Sequence, residues 1–244
     1  MLRMKTKRAF AVFLALVSLT AAWAESPESS TAGIKGWYFG MEVGPALGQC
    51  TFRSINEHDS HVGFQGGMFV GYQFNRILSL DYGVTLGGQR QTACDCCPYW
   101  LSADGVRTIT PMLDTKGWYY SDLTARTFWY RFGLRANIDL LSVIVRGGTR
   151  WSLLASPMLT VANTDTELKD ADGSKIRPVG WADKSQWHLG LGGQLAVGYR
   201  ASSHISVHLY GGITNFTGDR FDLIPEHCHK SNLVYDFGIR LTYH

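Results

Sequence analysis

From Gly36 to His244, apolar and polar residues alternate in eight separate stretches. In the last of them Leu233, Tyr235, Phe237, Ile239, Leu241 and Tyr243 share one parity, and Asp236, Gly238, Arg240 and Thr242 share the other. Successive side chains of a strand point to opposite faces, so this pattern predicts a strand with one greasy and one polar face. The first stretch sets Trp37, Phe39, Met41 and Val43 against Gly40, Glu42 and Gly44. The second sets Phe64, Met68, Val70 and Tyr72 against Gln65, Gly67, Gly71 and Gln73. The third opposes Leu78, Leu80, Tyr82, Val84 and Leu86 to Ser79, Asp81, Gly83 and Thr85, and the fourth Phe128, Tyr130, Phe132 and Leu134 to Arg131, Gly133, Arg135 and Asn137. A fifth is expected with Leu141, Val143, Val145 and Trp151 against Ser142, Arg146, Gly148 and Arg150. The sixth carries Trp187, Leu189, Leu191, Leu195 and Val197 outward of His188, Gly190, Gly192 and Gln194; the seventh carries Ile205, Val207, Leu209 and Ile213 outward of Ser206, His208, Gly212 and Thr214.

The connections alternate in length. About two residues (Asn75-Arg76) separate the second and third stretches, about two the fourth and fifth, and about three (Ala201-Ser202-Ser203) the sixth and seventh. The remaining connections span 49–61, 92–125, 157–184 and 217–230. A soluble sandwich or lipocalin-like barrel also alternates, but it has no reason to trim one end and elaborate the other. Each run is near the ~9–11 residues that a tilted strand needs to cross hydrocarbon. The expected architecture is therefore all-β: an eight-stranded, antiparallel, up-and-down transmembrane β-barrel, with short periplasmic turns and long extracellular loops.

The N-terminus fits export. Met1–Arg8 carries Arg3, Lys5, Lys7 and Arg8 and no acid, Ala9–Thr20 is apolar, and Ala22-Trp23-Ala24 has the small residues of a cleavage site. Residues 1–24 are read as a cleaved signal, 25–35 as a polar linker and 36–244 as the barrel domain. The apolar run is too short for the ~20 residues of a membrane helix. The formal charge of +3 is therefore misleading: without the leader, 19 basic side chains face 20 acidic ones, and no basic footprint of a nucleic-acid binder remains. The 27 glycines and 13% aromatics suit a packed lumen and interfacial girdles. Trp37, Tyr72, Phe74, Tyr199 and Tyr243 are expected in the girdle near the short turns, and Trp151, Trp187 and Phe216 in the one near the long loops.

The segments Gly36–Gly48 (GWYFGMEVGPALG), Gly63–Phe74 (GFQGGMFVGYQF) and Ile77–Gly88 (ILSLDYGVTLGG), together with the eight-strand plan, resemble the outer-membrane β-barrel domain family, the OmpA-like and PorT-like group common in Bacteroidota. The resemblance covers nearly all of the chain after the leader. It implies the fold, a bilayer of outer-membrane lipid and delivery by the barrel-assembly machinery; it is weak for function. Members usually end in Phe or Trp, whereas this chain ends Leu241-Thr242-Tyr243-His244.

Small barrels are filled by side chains, and buried ions must be paired. Glu42, Asp81, Asp139, Asp236, Arg131, Arg135, Arg146, Arg150 and Arg240 are the expected lumen charges, as a salt-bridge plug or, alternatively, the constriction of a narrow gated channel for ions or small solutes. All five cysteines fall in connections; Cys50–Cys228 and Cys94–Cys97 (or Cys94–Cys96) are the candidate disulfides of an oxidising compartment. Cys94-Asp-Cys96-Cys97 and His227-Cys228-His229 match no standard zinc spacing, and Asp170-Ala-Asp172-Gly173 lacks the rest of a calcium loop, so neither a metal nor a cofactor is expected. His204-Ile205-Ser206 has the letters of a lipid-modifying barrel hydrolase but sits by the short turns without a paired acid, so no enzyme is expected. The expected role is structural or one of surface interaction, carried by the long loops, with 92–125 and 157–184 as the place where an extracellular ligand would be met. The aromatics of Pro98-Tyr99-Trp100-Leu101 and Trp118-Tyr119-Tyr120 either make that contact or pack on the barrel rim.

Overall fold

The computed structural model describes residues 35–56, 59–93, 98–145, 149–177, 185–218, 221 and 232–244. The leader, most of the linker, Arg146, Cys94, Cys96, Cys97 and Cys228 lie outside the described residues. The strands are β1 (Gly36–Gln49), β2 (Gly63–Gln73), β3 (Leu78–Thr92), β4 (Trp100–Ser102), β5 (Arg107–Thr108), β6 (Gly117–Tyr119), β7 (Thr124–Asp139), β8 (Trp151–Lys169), β9 (Lys175–Ile176), β10 (Ser185–Arg200), β11 (Ile205–Phe216) and β12 (Asn232–Tyr243).

Eight of them close on themselves. The antiparallel order β10-β11-β12-β1-β2-β3-β7-β8 is completed by β8 pairing with β10. The seam between first and last barrel strands is in register, with Glu42 opposite Arg240 and Val43 opposite Ile239. Closure satisfies the backbone groups that hydrocarbon would leave without partners. The outward parity is greasy and exposed, from Trp37 (72%) through Met68 (73%) to Leu209 (67%). On a soluble protein such a surface would be an aggregation liability; facing lipid it is the anchor.

The expected strands hold except the fifth. Leu141, Val143 and Val145 belong to a turn, with one helical turn at Leu140–Ile144, and the strand runs instead over Trp151–Lys169. The physical reason is Asp139, whose side chain accepts from the backbone N–H of Leu141, Ser142 and Leu153 and from the Ser142 hydroxyl, an N-cap that competes with the strand ladder. Half of the expected loop 157–184 is therefore barrel wall, and Arg150 is an exposed turn residue rather than a lumen charge. Trp151 moves with the strand: it pairs with Tyr199, ring centroids 5.1 Å apart, in the girdle at the short-turn end. Phe216 points inward and is buried, so it leaves the outer girdle too. That girdle is marked by Trp187 against Tyr130, with centroids 5.7 Å apart.

The other short turns are built from side-chain acceptors. Asn75 Oδ1 receives the N–H groups of Ile77 and Leu78, and Ser202 Oγ those of His204 and Ile205. Arg76 reaches across to donate to the carbonyls of Ser142 and Val145, tying two turns together.

Candidate functional site

The lumen is stacked in three tiers. In the middle tier Glu42, Asp81, Asp236, Arg131, Arg135 and Arg240 are all buried, three cations against three anions. Arg135 bridges two acids, Nη1 to Glu42 Oε2 at 2.7 Å and Nε to Asp81 Oδ1 at 2.7 Å. Arg240 closes on the same Glu42 oxygen at 3.2 Å, across the seam. Arg131 takes Asp236 with both terminal nitrogens, at 3.0 and 3.2 Å, a bidentate pair. Gln65 and Gln194 accept from Arg131 and Arg240 respectively, and Asn137 donates to Asp81 at 2.8 Å. A space of about 20 Å³ remains among Glu42, Arg131, Arg135, Gln194 and Asp236, room for roughly one water molecule. Asp139, expected among these ions, is spent on the β7–β8 turn instead.

Inward aromatics complete this tier, Phe69, Tyr38 and Tyr210 among them, and sequence reasoning passed over them. Phe69 lies under Arg135 and Arg240, whose guanidinium carbons sit 5.2 and 5.3 Å from its ring centre. Tyr38 donates to Ser79 at 3.0 Å. Both stand directly across from a glycine, Phe69 from Gly40 and Tyr38 from Gly71, where a Cβ would collide with the ring.

The tier toward the long loops is apolar. Phe52, Leu101, Tyr120, Leu123, Ala125 and Leu168 form one buried cluster, with Tyr99, Trp118 and Ile176 packed on it. Cys50, Ala162, Phe216, Phe221 and Val234 form a second. The small sheet β5-β4-β6 belongs to this cap, with Trp100 buried. The loop aromatics thus pack on the rim, and of the aromatic side chains in the two groups Tyr119 is the one that stays exposed. What projects instead is the tip of the same loop: Val106, Ile109, Met112 and Leu113, the last fully exposed. A hydropathy pattern of so few residues gave no signal for it.

The tier toward the short turns is an open polar cavity of about 280 Å³. Ser206 and His244 meet there, hydroxyl to Nε2 at 3.1 Å, while His204 stacks on Tyr243. The letters of the His204-Ile205-Ser206 motif therefore part company, and among the described residues no acid completes a triad on His244. Burial first, and then the Arg200 charge, hold the His244 imidazole below its ordinary value. No group of three or more metal-ligating side chains occurs among the described residues, and Asp170 turns the β8–β9 hairpin by accepting from Ser174 N.

Comparison with solved structures returns membrane barrels. The chain is similar to Neisserial surface protein A (NspA; 12% identity, 85% of this chain and 96% of that one, TM-score 0.47). It is also similar to Ail, the attachment invasion locus protein of Yersinia pestis, crystallised with the heparin analogue sucrose octasulfate (6% identity, 86% and 99%, TM-score 0.45). A third is the outer membrane protease OmpT of Escherichia coli (8% identity, 89% and 99%, TM-score 0.38). No curated protein matches the sequence. The family description "Outer membrane protein beta-barrel domain" matches residues 9–237. With its closed ring of strands and lipid-facing greasy surface, the chain belongs to the outer membrane protein beta-barrel domain family and resides in the bacterial outer membrane.

Proposed function

We propose that this barrel is a non-enzymatic, non-conducting scaffold of the outer membrane that holds a folded cap at the cell surface for contact with other surfaces. The observation that carries the reading is the double closure of the lumen, by three mutually paired arginines and three acids in the middle and by the apolar clusters above them. An ion entering would have to break buried pairs, which costs several kcal/mol. Planar-bilayer recording of the purified protein tests this: a flat baseline is expected, and discrete conductance steps would favour the narrow channel instead.

The surface role is assigned to the tip that bears Ile109 and Leu113, because large apolar side chains held out in water mark contact sites. Cells displaying the protein should adhere to an alkyl-coated surface, and I109S/L113S should abolish that adhesion without altering surface abundance. Equal adhesion by both forms sinks the assignment. On the same reading the chain is exported by the leader ending at Ala24 and inserted by the barrel-assembly machinery. A Cys50–Cys228 bridge would pin the first long connection to the last. Cys50 is buried beside Phe216 and Val234, at the strand ends that flank the connection holding Cys228. Non-reducing peptide mapping that finds the two cysteines on separate peptides would remove it.

A further inference from the structure

The cavity at the short-turn end, periplasmic in this family, is lined by more positive charge than the barrel needs. Arg76, Arg150 and Arg200 line it together with His208 and His244, and Arg240, already paired with Glu42, closes its inner end. Its carboxylates are already engaged: Asp81 by Arg135 and Asn137, and Asp139 by the β7–β8 turn. Arg150 and Arg200 stand side by side at the mouth, since Arg200 N donates to the Arg150 carbonyl at 2.8 Å, and both residues are exposed. Deeper in, His208 is 7% exposed, and its Nδ1 has no hydrogen-bond partner. The Nε2 edge of that ring lies against Gly198, so Nδ1 belongs to the opposite edge of the imidazole. A buried polar atom without a partner is costly and calls for an explanation. The paired ions and the apolar cap lie beyond, so the cavity is approached from the short-turn side.

We propose that this cup is a binding site for a small, multiply charged anion, carboxylate or phosphate, offered from the periplasm. Arg150 and Arg200 draw the ligand to the mouth, and the His208 Nδ1–H donates to it inside. Arginine forks match the planar or tetrahedral oxygens of such groups, and a cleft of one sign with low-dielectric walls concentrates the opposite charge. The cavity lies just below the ~300–1,000 Å³ of drug-sized sites, which favours a ligand of phosphate or citrate size, or the acidic end of a longer chain. These two sources share one chemistry and differ in size.

The test is calorimetric titration of the full chain, folded in neutral detergent at low salt, with inorganic phosphate, citrate, the tripeptide Ala-Glu-Glu and maltose. Phosphate or citrate binding identifies a free anion as the ligand, and binding of the peptide alone identifies a chain end; maltose should give no heat. R150Q/R200Q, altering exposed side chains only, should weaken binding tenfold or more while the folded form keeps its gel mobility. H208Q should weaken binding similarly. No binding by any anion, equal binding by maltose, or an unchanged affinity in R150Q/R200Q overturns the proposal.

Discussion

Tyr38 stands inside the barrel because Gly71, directly across on β2, leaves room for its ring, and Phe69 stands there because Gly40 does the same on β1. The same exchange recurs further up, where a Cβ at Gly87 would lie 2.7 Å from the Trp129 ring. The lumen charges were legible in the sequence because parity assigns Glu42, Asp81, Arg131, Arg135, Asp236 and Arg240 to the non-greasy face. The aromatics among them were not, because a bulky apolar residue on that face reads as noise until the register puts a glycine opposite. Arg135 is the residue on which most converges. R135M leaves Asp81 without its ion pair in a buried site, and urea denaturation should show a loss of about 3–5 kcal/mol. D81N/R135M should lose less than the sum of its parts, and strict additivity would mean that the pair is not coupled. His244 sets a pH dependence. Its folded pKa lies below the unfolded one, so the unfolded chain binds the proton more readily. The His244 contribution is complete above the unfolded value near ~6.5 and is lost as pH falls from there toward the folded value. The stability difference between wild type and H244N should therefore change between pH 7.5 and 5.5, and a constant difference would disprove the effect.

At the scale of elements, periodicity served where strands alternate strictly and failed at β7–β8. Leu141, Val143 and Val145 alternate as a strand would, yet Asp139 caps a helical turn there, and capping leaves no mark in a period-two pattern. The slip carried Trp151 to the wrong girdle and turned the later part of β8, from residue 157 onward, into an expected loop. The cap can be weighed: D139A removes an acceptor shared by three backbone N–H groups and should cost about 0.5–2 kcal/mol. An unchanged unfolding midpoint would show that the turn holds without it. On the outer face, Ile239 lies midway between Tyr235 and Tyr243 on β12 and is 54% exposed. I239R should destabilise the folded protein in lipid by ~2–4 kcal/mol, as a charge near the bilayer midplane does, and its tolerance would place β12 elsewhere in the membrane.

Across the whole molecule, the ionic tier is assembled from partners far apart in the chain. Glu42 on the first barrel strand meets Arg240 on the last, and Asp236 on that same last strand neutralises Arg131 on β7. Asp81 and Arg135 face each other on the neighbouring strands β3 and β7, but the Glu42–Arg240 and Arg131–Asp236 links exist only once β12 has joined the sheet. Until then Arg131 lacks its acid, and Glu42 has Arg135 alone, on a sheet whose other face must already be entering lipid. Contacts of such sequence separation form late and slowly. The final strand therefore acts as a latch as well as a wall: its arrival gives Arg131 its acid and Glu42 its second arginine, and an assembly that stalls before it holds an open sheet with Arg131 unmatched.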